Sequence, residues 1–303
     1  MEKKVYEIAV IVKAVNSDFW QTILSGAKAA MRDHEYIHVK TYGPPEESDV
    51  KEQVEILERI VDEHPDGIVI ASTSNDLTVP AIERAMAAGI PVVTLDNQVS
   101  TDKYIAFMGT DSVKAAGTAA DAMVADWNNM NLDVEYKKVL VINSARSSKV
   151  DLDRDAGFQE RIRELVPSIQ PMGVQYVEND PALTEQVVCE SLEKHKDLIG
   201  IFADNDMTGV GVANGIKRAG AAGKVAAYAF DANDVEIQAV KDGFLSGMVV
   251  QKPFEMGYRG VMFAVDAIEG RPVEKKIDTG GTIVTKKNLE DADVVKLLYP
   301  EKL

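Results

Sequence analysis

Apolar runs of four to eight residues alternate along this chain with longer segments of helical period, and the alternation is gone through twice. That is the pattern of a parallel sheet covered by helices. In the first half, strands are predicted at residues 8–13, 67–71, 91–96 and 105–108. Between them Trp20, Leu24, Ala27 and Met31 recur at helical spacing, as do Val50, Val54, Leu57 and Val61, giving two core-facing stripes. The pattern then restarts, with strands at 139–143, 172–177, 198–203, 225–231 and 244–250. Helices are predicted at 154–165, 184–195 and 208–219, with a short one before the last strand. Local phrases echo as well: Asp66-Gly-Ile-Val-Ile-Ala-Ser-Thr-Ser-Asn-Asp resembles Asp197-Leu-Ile-Gly-Ile-Phe-Ala-Asp-Asn-Asp, and Asp96 and Asp231 end equivalent strands. The sequence therefore predicts an α/β protein of two similar Rossmann-like lobes, each a mostly parallel sheet flanked by helices. A length of 303 residues, 46% of them apolar, suits about two domains.

Charge and cysteine usage narrow the function classes. With 49 acidic against 33 basic residues the surface repels phosphate backbones, so no nucleic-acid partner is expected. No apolar run approaches the ~20 residues of a membrane-spanning helix. The single cysteine, Cys189, excludes an intramolecular disulfide, and its spacing from Val188 and Leu192 suggests core packing. Met-Glu-Lys-Lys leads at once into the strand-like run 6–12, leaving no room for the apolar segment of a signal peptide. Either the protein is cytoplasmic or a signal has been removed from the sequence.

In open α/β sheets ligands bind beyond the carboxyl ends of the strands. The polar residues found there are Lys13, Asn75, Asp76, Asp96, Asn97, Asn205, Asp206, Asp231 and Gln251. Two such lobes facing each other would bury a ligand between them. Asp96 and Asp231 read as helix caps or turn formers on the bland interpretation. On the functional one, each carboxylate accepts hydrogen bonds from two neighbouring hydroxyls with charge-assisted strength. Arg154 as a fork of donors, with Asn205 and Gln251 as mixed donors and acceptors, completes a set suited to a polyhydroxylated ligand. Lys13 at a strand end is ordinarily a solvated charge, yet it lies in the same turn as Phe19 and Trp20. Those adjacent helix positions point about 100° apart, so one packs inward while the other faces the cleft, where an indole makes a platform for a pyranose.

Other motifs fail on spacing. Asp151-Leu-Asp-Arg-Asp-Ala-Gly opens like a calcium loop but has Ala156 at the sixth position and Ile162 at the twelfth, so it reads as a helix start with an acidic first turn. Gly209, Gly211 and Gly215 miss the dinucleotide fingerprint by one residue and fall within a helix. His34 and His38 flank a helix-to-strand junction, without zinc spacing or a nucleophile elbow. No catalytic constellation, metal site or cofactor is expected, and the chain is not read as an enzyme.

The chain resembles the periplasmic sugar-binding proteins of the ribose, allose and galactose type, which share their fold with the effector domains of lactose-repressor-like regulators. The resemblance rests on Val12-Lys-Ala-Val-Asn-Ser-Asp-Phe-Trp, Val92-Val-Thr-Leu-Asp-Asn, Gly109-Thr-Asp, Arg154-Asp-Ala-Gly-Phe, Phe202-Ala-Asp-Asn-Asp, Phe230-Asp and Val250-Gln-Lys-Pro-Phe-Glu-Met-Gly, in that order. It implies the type I periplasmic binding protein fold, with lobes at 1–110 plus 252–280 and at 111–251 plus 281–303, a ligand cleft between them and a three-segment hinge. It implies sugar contact from Lys13, Trp20, Asp96, Arg154, Asn205, Asp231 and Gln251, with Phe19 and Phe230 helping to line the site; Asn97, also a ligand-binding candidate, departs from the pattern by standing after the first aspartate where the residue is often charged. Lysine at the first landmark looks more like the allose-type pattern, which favours a pyranose. The implied protein is an extracytoplasmic monomer that delivers a monosaccharide or similar polyol to an ABC-transporter permease. Asp18 replaces the usual proline before the paired aromatics, and no aromatic stands near Glu178-Asn-Asp-Pro, where the second lobe commonly contributes one. The rival reading is a sugar-sensing effector domain of a repressor or membrane sensor.

Overall fold

The computed structural model describes residues 4–146 and 148–300. The apolar runs and periodic segments form, in chain order, β1 (Tyr6–Ile11), α1 (Asp18–Asp33), β2 (Ile37–Tyr42), α2 (Val50–Glu63), β3 (Gly67–Ala71), α3 (Val79–Ala87), β4 (Val92–Leu95) and β5 (Ala106–Gly109). After them come α4 (Ser112–Asn129), β6 (Lys138–Asn143), α5 (Lys149–Leu165), β7 (Gln170–Pro171), β8 (Gln175–Tyr176), α6 (Pro181–Lys194), β9 (Leu198–Ala203), α7 (Asp206–Ala219), β10 (Ala226–Phe230), α8 (Asp234–Asp242) and β11 (Gly247–Val250). The chain ends with α9 (Pro253–Ile268), β12 (Lys276–Asp278), β13 (Thr282–Thr285) and α10 (Ala292–Leu298). Two units contain these elements: Met1–Thr110 with Lys252–Gly280, and Asp111–Gln251 with Gly281–Leu303.

The first unit holds a six-stranded sheet in the order β12-β5-β4-β3-β1-β2, parallel throughout. The second repeats that order as β13-β11-β10-β9-β6-β7, with β8 also on β6 and β13 antiparallel to β11. Strand order reverses between β1 and β3 in one unit and between β6 and β9 in the other. At such a switch point neighbouring strand-end loops diverge and leave room for a ligand. Each sheet is covered on both faces. In the first unit α1 and α9 pack on one face and α2 and α3 on the other. In the second, α4 and α5 oppose α6, α7 and α8. Fully buried side chains such as Ile8, Ile70, Phe158 and Trp127 each contribute roughly 1.5–3 kcal/mol of transfer free energy.

Close helix contact in the first unit depends on small residues. A Cβ at Gly257 would lie 1.9 Å from the Ile23 carbonyl oxygen, and one at Gly26 would lie 2.0 Å from that of Phe254, so α1 and α9 touch backbone to backbone. In the second unit Trp127 of α4 donates from Nε1 to the Ile199 carbonyl at 3.1 Å, and Phe158 stacks on Phe202 at 4.4 Å. The buried indole N–H thus has a partner, as its desolvation requires.

Four local expectations are corrected. Of the strand predicted at 172–177 only β8 at Gln175–Tyr176 forms, with β7 before it at Gln170–Pro171, because register against β6 slips by one residue between Pro171, opposite Val139, and Gln175, opposite Ile142. The strand predicted from 244 begins at Gly247, since Phe244 and Leu245 instead donate back to Ala239 at the end of α8. Helix α5 begins at Lys149, where Ser148 accepts from the Asp151 N–H as its cap. The buried face of α2 is Gln53, Ile56, Leu57, Ile60 and Val61, which includes Leu57 and Val61 of the predicted stripe and leaves Val50 and Val54 half-buried beside it.

Candidate functional site

The strand ends of the first unit bring Lys13, beyond β1, to Asp96, beyond β4. Lys13 Nζ stands 2.6 Å from Asp96 Oδ2, and both residues are 9% exposed. Asp96 has a left-handed backbone, φ 59°, after its N–H extends the ladder to the Met108 carbonyl at 2.9 Å. Aspartate tolerates that conformation better than most residues. The Lys13 ammonium also lies 5.2 Å from the centroid of the Trp20 ring, which meets Phe19 edge-on at 4.8 Å. Asn97 donates to Asn75 Oδ1 at 2.9 Å and to the Ser72 carbonyl at 3.3 Å. Beneath them the buried Gln53 amide donates to the Val12 and Ala71 carbonyls at 2.9 and 2.8 Å and accepts from the Thr73 N–H at 2.8 Å, tying the ends of β1 and β3 together.

The second unit repeats the device. Asp231 follows β10 with φ 73°, and its N–H donates to the Val249 carbonyl at 2.8 Å. Gln251 Nε2 donates to Asp231 Oδ1 at 2.7 Å, and Arg154 Nη1 lies 3.5 Å from Oδ2. The guanidinium stacks on Phe230, 3.8 Å from the ring centroid, and donates to the Asp204 carbonyl at 2.8 Å. Asn205 caps α7, accepting from the Thr208 N–H at 2.9 Å while donating to Asn179 Oδ1 at 2.8 Å. Each unit therefore presents one carboxylate, held on a left-handed turn and paired with a cation.

These positions refine the sequence reading. Asp96 and Asp231 are turn formers but not helix caps: no helix follows β4 directly, and α8 is capped by Asn233. Trp20 is a core residue, 3% exposed, with Nε1 donating to Glu47, so of the aromatic pair Phe19 is the more exposed. Phe230 is wholly buried, with the Arg154 guanidinium over its ring. The sequence reading missed Glu47, Gln53 and Tyr176. Tyr176, at the end of β8, carries the Arg146 guanidinium 3.7 Å above its ring, two residues before the segment in which no aromatic stood.

Buried acids surround Arg154. Burial above all, then the neighbouring charges of Asp151 and Asp155, holds the Asp204 carboxyl well above the ordinary carboxylate range. Burial likewise lifts Asp155 to about 7 and Glu236, behind Asp231, well above its usual value. Among the described residues no group of three or more histidine, cysteine or acidic side chains is arranged to hold a metal ion, and no helix is long and apolar enough to cross a membrane.

A family model described as periplasmic binding protein domain matches residues 8–272. The chain belongs to this family. Membership makes it a relative of binding proteins rather than of enzymes. The D-ribose/D-allose-binding protein of Pseudomonas aeruginosa is 27% identical over 94% of this chain and 88% of its own length. A ribose import binding protein of Bacillus subtilis is 26% identical over 94% of this chain and 89% of its own. Among solved structures, an ABC transporter solute-binding protein of Agrobacterium vitis with bound D-fucose superposes with TM-score 0.87 at 36% identity, covering 97% of this chain and all of that one. A carbohydrate transporter solute-binding protein of Agrobacterium radiobacter, in complex with D-arabinose, gives 0.90 at 28% identity, covering 97% and 99%. These neighbours share the two-lobed type I periplasmic binding protein fold.

Proposed function

We propose that this periplasmic binding protein takes up a monosaccharide or similar small polyol outside the cytoplasm and delivers it to an ABC-transporter permease, the two lobes closing over the ligand. The observation that carries this reading is the repeated strand-end carboxylate, Asp96 with Lys13 and Asp231 with Arg154 and Gln251. An ionised carboxylate accepts from two vicinal hydroxyls, while the adjoining cation and amide donate to their oxygens, so each unit offers half of what a sugar needs. A ligand that touches both halves favours the closed arrangement through its differential contacts there. The solute-binding relatives, which match nearly end to end and hold ribose, allose, fucose or arabinose by name, support this over the regulator alternative. Lys13, Phe19, Trp20, Asp96, Asn97, Arg154, Asn205, Phe230, Asp231 and Gln251 form the proposed site, Phe230 through its support of Arg154.

Calorimetric titration with a panel of aldopentoses, aldohexoses and 6-deoxyhexoses tests the reading. One or more should bind, and Asp231→Ala should weaken that sugar about a hundredfold, since hydroxyls lose a charged acceptor in a dry site. Parent-like affinity of the variant would remove the site.

A further inference from the structure

The start of α5 buries more negative charge than sugar binding calls for. Asp151, Asp155 and Asp204 are all buried, and the end of β6 ties them together. Asn143 Nδ2 donates to Asp155 Oδ2 at 2.6 Å, the Ser144 N–H to Asp204 Oδ2 at 2.9 Å, and Ser144 Oγ to Asp151 Oδ2 at 2.6 Å. Arg154 lies between this cluster and the proposed ligand carboxylate, with Nη1 3.6 Å from Asp151 Oδ1 and 3.5 Å from Asp231 Oδ2. The guanidinium is thus balanced between its own helix and Asp231. Ionising every one of these carboxyl groups around one guanidinium is unfavourable in a desolvated site, so some of them must keep their protons. Asp155 is a clear candidate: its Oδ1 is buried without a hydrogen-bond partner among the described residues. A bare carboxylate oxygen is costly there, whereas the neutral acid tolerates the position better.

We propose that Asp155 is a positioning residue for Arg154 that works in its neutral form, so that the protein's hold on its ligand weakens when Asp155 ionises. The inference rests on the sugar-binding reading above. With Asp155 neutral, Asp151 and Asp231 share the guanidinium. Ionised, it adds a negative charge on the α5 side, draws Arg154 toward the helix and leaves Asp231 less well held. The groups acting on Asp155 are Asp151 and Arg154 of its own helix and the neutral Asn143 of β6, while Asp204, beyond β9, senses Asp155 in turn. Helix α4 meets α5 nearby through the Val113 carbonyl and Gly157, and the Arg161–Asp121 ion pair joins the two helices further along. Burial, the largest influence, brings the Asp155 carboxyl to about 7, which puts the change in the neutral range.

The test has two arms. In ligand-free protein carrying carbon-13 aspartate, the Asp155 carboxyl resonance, assigned with Asp155→Asn, should titrate near neutrality. An ordinary carboxylate titration in the unsubstituted protein overturns the proposal without recourse to any variant. In the second arm, D-fucose, D-ribose and D-arabinose are titrated calorimetrically from pH 5.5 to 8.5. The affinity of whichever sugar binds should fall at least roughly fivefold from the acid to the alkaline end, a modest coupling by the usual scale. Asp155→Asn should bind with the acid-side affinity throughout. A sugar bound equally well across the range, or a variant that keeps the parent's pH profile, overturns this proposal alone. If none of the three binds, the pH series is run with whichever other sugar of the panel above does, and if no sugar of that panel binds, the sugar-binding reading fails and the proposal fails with it.

Discussion

Replacing Lys13 with methionine keeps the hydrocarbon stem and deletes the ammonium 2.6 Å from Asp96 Oδ2. At that separation the attraction is about 6 kcal/mol at an effective dielectric of 20, much of it offset by desolvating both groups. Their side chains are only 11% and 6% exposed, so deleting one leaves the other buried and uncompensated, a loss of roughly 3–5 kcal/mol. Asp96→Asn keeps the side-chain shape and the tolerance for φ 59° and still offers an amide oxygen to the ammonium, so its loss should be smaller, about 2–3 kcal/mol. The double variant contains neither charge, and its loss should fall short of the sum of the singles by about 2 kcal/mol or more. The chain's two tryptophans lie one in each unit, Trp20 in the first and Trp127 in the second. In a Trp127→Phe background, urea unfolding followed by fluorescence therefore reports on the first unit. Additivity of the two substitutions within about 0.5 kcal/mol would refute the view that Lys13 and Asp96 compensate one another.

Stability should also depend on pH through Asp155, whose carboxyl rises from 3.8 to about 7 on folding. The native state then binds the extra proton between those values, so stability falls as pH climbs from about 4 to about 7, by roughly 4 kcal/mol if nothing relaxes. Asp155→Asn should flatten that slope and gain on the parent at pH 8 in urea titrations; an unchanged slope would contradict the assignment. Gly257→Ala places a methyl group against the Ile23 carbonyl and should cost about 1–3 kcal/mol, visible as a lower melting temperature of the first unit in the Trp20 signal. Asn205→Ala removes the α7 cap and should cost about 1 kcal/mol of second-unit stability, measured by Trp127 fluorescence in a Trp20→Phe background.

Apart from Arg154, which lies in the second turn of α5, the residues that the sequence marked out as candidates lie at or just beyond strand ends or in the adjoining turns and helix starts. The reason is geometric: in a parallel sheet the loops after the strands cluster along one edge, so a polar residue ending an apolar run is located by its sequence position alone. The two-fold repetition of strands and helices was equally legible, because burial on both faces imposes continuous apolar runs whatever the neighbours are. Harder to see was the buried polar face of α5. Asp151, Arg154, Asp155, Phe158 and Ile162 follow helical spacing on one face, whereas the sequence by itself reads the acids as an acidic first turn at a helix start. The spacing was a usable signal, since the stripe that buries Phe158 and Ile162 continues through the charged residues.

What the sequence determined by itself was therefore the class of fold, the doubling and the edge on which ligand chemistry belongs, all of which follow from local periodicity. Pairing was decided by tertiary structure. Lys13 and Asp96 are 83 residues apart and Arg154 and Asp231 are 77 apart, and no local rule says which cation meets which carboxylate. The same holds for the packing of Trp20 and Phe230 and for the burial of Asp155 and Asp204. Each depends on how closely a helix end approaches a strand end, and that distance is set by the packing of the whole sheet.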